Sequence, residues 1–141
     1  MNNPTNLDKM RHTAAHVLAA ASRELKPDTK LGVGPATANG FFHDIDVAAR
    51  WTSDNLPSLQ KKMEEIKQKD LPITQKSVSK QEARKLFKDD PYKLELIDQI
   101  ESDEVGLSVM GDGWFVTLCE GGHVESTGQI GFFQLTNLSG V

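Results

Sequence analysis

The chain has 141 residues, 38% of them hydrophobic and 26% charged, with a net charge of −4 and a sequence pI near 5.5. That balance fits one soluble globular domain spanning 1–141 and excludes a protein that grips nucleic acid over a broad basic surface. No apolar run approaches the ~18 residues of a membrane span, segment 1–12 has no apolar signal core, and the single cysteine, Cys119, forbids an intrachain disulfide and makes a reducing, cytoplasmic setting the default.

Apolar positions Ala14, Val17, Leu18, Ala21 and Leu25 follow a helical period, and Asn6 or Asp8 is positioned to cap that first helix. "KPDTK" (26–30) breaks it, and "LGVGP" reads as a short strand or loop. "NG" at 39–40 marks a turn before "FFHDIDV", which alternates like a strand. "TSDNLPSLQKKMEEIKQKD" opens on capping residues and predicts a second helix, with Trp51 as an anchor at its start and Met63 packing inside. "LPITQKSV" alternates as a strand, and Ser79 with Glu82 forms a capping box for a third helix. "DDPYKLELIDQI" predicts a short fourth helix, and "VGLSVM", "GWFVTLC" and "IGFFQLTNL" read as β segments. Trp114, Phe115, Phe132 and Phe133 are assigned to core and strand surface. The basic clusters "QKKMEEIKQK" and "SVSKQEARKLFK" interleave with acids, as solvated helix faces do. The expected class is α+β, an antiparallel sheet with packed helices.

The chemistry concentrates in "RHTAAHVL" and "LCEGGHV". His12 and His16, four apart on a helix, share one face with Cβ atoms about 6 Å apart; alone, such a pair equally describes packing or water-facing histidines. Cys119 and His123 repeat the spacing in a glycine-containing turn after a strand. Three imidazoles and a thiolate suit tetrahedral zinc by softness and number. The residue after the first histidine is Thr13, so the glutamate base of an HExxH protease is missing. A structural zinc knuckle would bring closer pairs, such as CxxC; two wider pairs suit a cleft.

The stretches "HTAAHVLAAASRELKPDTKLGVGPATANGFFHDID", "PYKLELI" and "VTLCEGGHVESTGQIGFFQLTNLSGV" resemble, in this order and over nearly the whole chain, the editing domain of threonyl-tRNA synthetase, which is related to alanyl-tRNA synthetase editing domains. The resemblance implies an aminoacyl-tRNA deacylase that cleaves mischarged seryl-tRNA(Thr) at the 3'-terminal adenosine. It implies catalytic roles for His12, His16, Lys93, Cys119 and His123, with His12 and His123 handling water. Lys93 by itself reads as a solvated residue at a helix start. Gly34, Pro35, Phe42, His43, Asp46 and Thr117 would bind substrate. Zinc on His12, His16, Cys119 and His123, as associated with alanyl-type domains, and metal-free operation, as in threonyl-type ones, are both compatible with it. The partners it implies are the tRNA 3' acceptor end and, for an excised domain, the aminoacylation domain in cis; a free-standing domain would act in trans. Thr117 stands where threonyl-type domains commonly carry aspartate, and "CEGGH" replaces their usual arginine and proline. These departures keep alanyl-type trans-editing open, beside a non-catalytic zinc-binding or tRNA-acceptor-binding module.

Overall fold

The computed structural model describes residues 5–32, 34, 37, 39–46 and 51–138. In chain order these form α1 (Asn6–Leu25), β1 (Lys30–Leu31), β2 (Ile45–Asp46), a 3-10 turn (Ser53–Asn55) leading into α2 (Leu56–Lys69), β3 (Ile73–Ser79), α3 (Lys80–Leu86), α4 (Pro91–Gln99), β4 (Glu104–Met110), β5 (Phe115–Leu118) and a second 3-10 turn (Thr127–Ile130). Strands β3, β4 and β5 make an antiparallel sheet in that order, and β1 pairs with β2 in a separate antiparallel ribbon. This is the expected α+β class, with an editing-domain-like arrangement.

Helix α1 begins one residue earlier than either expected cap allows. Thr5 is the N-cap: its Oγ1 accepts from Asp8 N at 3.0 Å while Asp8 Oδ2 accepts from Thr5 N at 3.0 Å, a reciprocal box that satisfies two orphan donors. Its inner face carries Ala14, Val17, Ala20 and Ala21, all buried, and small side chains let the neighbouring α2 come close. Helix α2 answers with Leu59, Met63 and Ile66 at a helical period, and Ser79 caps α3 by accepting from Glu82 N.

The sheet has two unlike faces because strand side chains alternate. One face carries Val78, Val105 and Leu118 against Ala83 of α3 and Ile97 of α4, with Leu107 buried between them in the strand alternation. On the other, Ile73, Met110 and Phe115 are paired across the three strands and join the main core with α1 and α2. Two residues further along that face the row is Gln75, Ser108 and Thr117, and Cys119 follows at the end of β5. The face therefore passes from hydrocarbon to chemistry within about 7 Å of strand.

One expected strand is absent among the described residues. "IGFFQLTNL" forms no ladder, although Ile130 and Phe133 are buried in the main core. Side chains of α2 take up its backbone groups instead: Lys67 Nζ donates to Gly131 O at 2.6 Å, Gln60 Nε2 donates to Phe133 O at 3.2 Å, and Leu135 N donates to Gln60 Oε1 at 2.8 Å. Phe132, 91% exposed, points outward. "FFHDIDV" likewise contributes only Ile45–Asp46 as strand.

Candidate active site

The two histidines of α1 sit where the helix passes the end of β5. Their Nε2 atoms are 2.9 Å apart, with ring centroids at 4.6 Å and planes at 73°. The His12 Nδ1–H donates to Gly122 O at 3.1 Å, since a carbonyl can only accept; the tautomer follows, and His12 Nε2 presents its lone pair. Cys119 Sγ lies 3.6 Å from that nitrogen, accepts from Gly121 N at 3.3 Å and faces Gly121 O at 3.5 Å. Candidate ligand atoms of His12, His16 and Cys119 all fall within 4.8 Å of one another.

The two arms are tied together by Thr13, a fully buried residue between the histidines. Its Oγ1 donates to Lys9 O at 2.7 Å and accepts from Val124 N at 2.9 Å. Thr13→Val keeps the volume and removes the acceptor, leaving a buried N–H unpaired; a loss of about 1–3 kcal/mol is expected in urea unfolding.

Burial sets the protonation of the cluster. It pulls His16, 8% exposed, down to about 3, helped by the nearby charges of His12, His123, His43 and Lys93. His12 is also lowered by burial, against the pull of the Gly122 carbonyl. Burial raises the Cys119 thiol, opposed by its backbone bond at Gly121. The set at neutral pH is thus two neutral imidazoles and a thiol, with His12 the better base.

His43 and Lys93 complete one wall. Burial lowers both, and Asp90 partly offsets this for Lys93. Lys93 is only 4% exposed, on the first turn of α4, where Asp90 Oδ1 accepts from its backbone N–H at 3.2 Å. Among the described residues no hydrogen-bond partner faces its Nζ, so it is not the solvated lysine that its position suggests. Gly34 leaves the space that the His43 ring fills. Phe42 is 45% exposed, Thr117 is buried on the site face of β5, Asp46 pairs with Lys30 through the β1–β2 ribbon, and Pro35 lies outside the described residues. His123 is placed differently from the other three metal-type residues. Its Nδ1 faces Val124 O at 3.0 Å and its Nε2 faces Gln75 Oε1 at 3.1 Å, and it is not in the three-residue ligand group.

Comparison with known proteins supplies the family. Residues 105–141 match the threonyl and alanyl tRNA synthetase second additional domain. Threonine--tRNA ligase of Rubrobacter xylanophilus is 45% identical over 139 residues, 99% of this chain and 21% of that protein. The corresponding ligase of Streptococcus suis is 48% identical over 135 residues, 95% and 21% respectively, and that of Streptococcus pneumoniae 46% over 132 residues, 93% and 20%. The chain is of the threonyl-tRNA synthetase editing-domain type. It spans about a fifth of the length of these curated relatives. No described helix of the editing-type domain is long and apolar enough to cross a membrane.

The three-residue group fits a metal by donor chemistry. Two nitrogen donors and one sulfur leave a position open, as catalytic zinc sites do, and the His12 bond to a backbone carbonyl is the support that a ligating imidazole uses. A bound zinc would turn the Cys119 thiol into thiolate and acidify a coordinated water. Spacing assigns Gly122 and Gln75 no part in the site and uses Thr13 only to exclude an HExxH base. Gly122 O meets His12, Gln75 meets His123 and Thr13 meets Val124, all far apart along the chain, and only the β-branched Thr13 between two histidines carries a local signal.

Proposed function

We propose that this domain hydrolyses mischarged seryl-tRNA(Thr), cutting the ester between the serine carbonyl and a ribose hydroxyl of the 3'-terminal adenosine. The observation that carries the reading is the convergence of His12, His16 and Cys119 within 4.8 Å beside the buried Lys93 and the half-buried His43. Serine lacks one methyl of threonine, and a synthetic site sized for threonine rejects it by only about 1–3 kcal/mol. A second site that admits serine and excludes the methyl supplies the remaining discrimination.

In this reading His12 Nε2 orients a water against the ester carbonyl and receives its proton as oxygen bonds to carbon. Lys93 Nζ, with no partner among the described residues, stands to stabilise the developing oxyanion. Collapse of the tetrahedral species breaks the bond to the ribose oxygen, which recovers the proton, giving serine and free tRNA. His16 is too weak a base to compete and serves to hold His12 or to share a metal. His43, against Gly34, and Thr117 line the side that meets the amino acid. The Thr117 hydroxyl can hydrogen-bond but not act as a base. The tRNA acceptor end is the proposed partner, with the aminoacylation region of a longer ligase in cis, in the cytoplasm.

Incubating preformed seryl-tRNA(Thr) with chelator-treated protein, then with zinc restored, tests this. Hydrolysis well above the protein-free rate is expected; no acceleration in either state contradicts the reading. Full activity in chelator assigns the chemistry to the side chains alone, and activity only with zinc assigns the water to the metal.

A further inference from the structure

We propose that Gln75 is a positioning residue of this site, its side-chain amide holding the Cys119 peptide and the His123 ring in one fixed arrangement; the proposal rests on the hydrolytic reading above. Gln75 lies mid-strand in β3, on the face that leads to Cys119. Its Nε2 donates to Cys119 O at 2.6 Å. Because that carbonyl only accepts, the amide orientation is settled, and Oε1 is turned to His123 Nε2 at 3.1 Å.

The reach depends on Gly106 of β4. A Cβ there would stand 2.5 Å from Cys119 O and 3.0 Å from Gln75 Nε2, so only glycine lets the glutamine cross the neighbouring strand. The Cys119 N–H meanwhile donates to Gly106 O at 3.0 Å. The Cys119 peptide is therefore held from both ends, by Gly106 and by Gln75. Gln75 is exposed on its other side, along a surface groove of about 410 Å³ shared with Glu120 and Gly106. An amide with no task would extend into that water; this one folds back onto two parts of the CxxxH segment. It touches no ligand atom of the three-residue group and makes no bond to Lys93, so it acts through the Cys119 peptide and the His123 ring. With His123 Nε2 engaged by Gln75, the open position beside His12, His16 and Cys119 stays clear of a fourth imidazole.

Two readouts test this on the chain as it is: side-chain 1H–15N spectra of the four histidines, and steady-state hydrolysis of seryl-tRNA(Thr). Gln75→Leu is expected to move the His123 ring resonances, leave those of His43 in place, and lower kcat about 10- to 100-fold with KM within about two-fold. Gln75→Glu keeps an acceptor for the ring and is expected to restore the His123 resonances but not the full rate, having lost the donor to Cys119. Gly106→Ala, which touches neither ring nor substrate, is expected to reproduce the leucine variant. Unmoved His123 resonances in Gln75→Leu overturn the proposal, and so does a moved ring with an unchanged kcat. If the parent protein hydrolyses no ester, the hydrolytic reading fails and the positioning role for it falls too, while the spectra still decide separately whether the contact exists.

Discussion

His12→Ala lowers kcat for seryl-tRNA hydrolysis by about a hundred- to ten-thousand-fold, the span of a lost general base. Two features make His12 the group with the most to lose. Its Nδ1–H is committed to Gly122 O, so Nε2 is the accepting nitrogen; it meets His16 Nε2 at 2.9 Å, a contact that the attacking water replaces in the proposed reaction. Burial keeps the ring neutral at pH 7, and a neutral ring can accept a proton. The same nitrogen is the point at which His16 Nε2 and Cys119 Sγ converge, so its removal also dismantles the ligand group. His12 is only half-buried and its neighbours on α1 carry the packing, so the melting temperature should change little. A variant that folds and retains the parent rate would remove His12 from the chemistry.

The second large effect is on stability in acid. In metal-free protein the folded state holds His16 neutral down to about pH 3, against 6.5 for an ordinary histidine. Above pH 6.5 His16 is neutral in both states and costs nothing. Below it the unfolded chain binds a proton that the folded chain refuses, so stability falls as pH falls, by about 1.4 kcal/mol per pH unit. The decline ends near pH 3, where the folded ring also protonates. Between pH 6.5 and 5, before carboxylates titrate, His16 alone should remove about 2 kcal/mol. His12 and His43, also lowered by burial, act in the same direction. Urea midpoints measured across this window should drop steeply for the parent and less steeply for His16→Gln, whose side chain has no such proton to refuse. Parallel slopes would mean that His16 is solvated when folded.

The parts of this site that could be read from sequence are those with local periodicity. His12 and His16 share a helix face by spacing alone, and Cys119 and His123 declare themselves as the second pair. The antiparallel sheet follows from three alternating apolar segments, and Ser79 with Glu82 marks the start of α3. What could not be read depends on tertiary partners. Lys93 looks like a solvated helix-start lysine and is buried on a helix that packs against β1 and α3. His123 matches the other three metal-type residues in chemistry, yet its ring nitrogens are turned to Gln75 and Val124, a choice made by β3 nearly fifty positions upstream. "IGFFQLTNL" has the aromatic alternation of a strand but finds its hydrogen bonds on Gln60 and Lys67 of α2. Thr5 outcompetes Asn6 and Asp8 as cap because only there can Asp8 reach back to complete the box.

Single-turnover hydrolysis of seryl-, threonyl- and alanyl-tRNA by one preparation of this chain, side by side, tests the central claim most directly. The site described here should release serine fastest and leave the threonyl ester close to its spontaneous rate, with the difference abolished by His12→Ala. Equal rates for the seryl and threonyl esters, or none above background for any of the three, would contradict it.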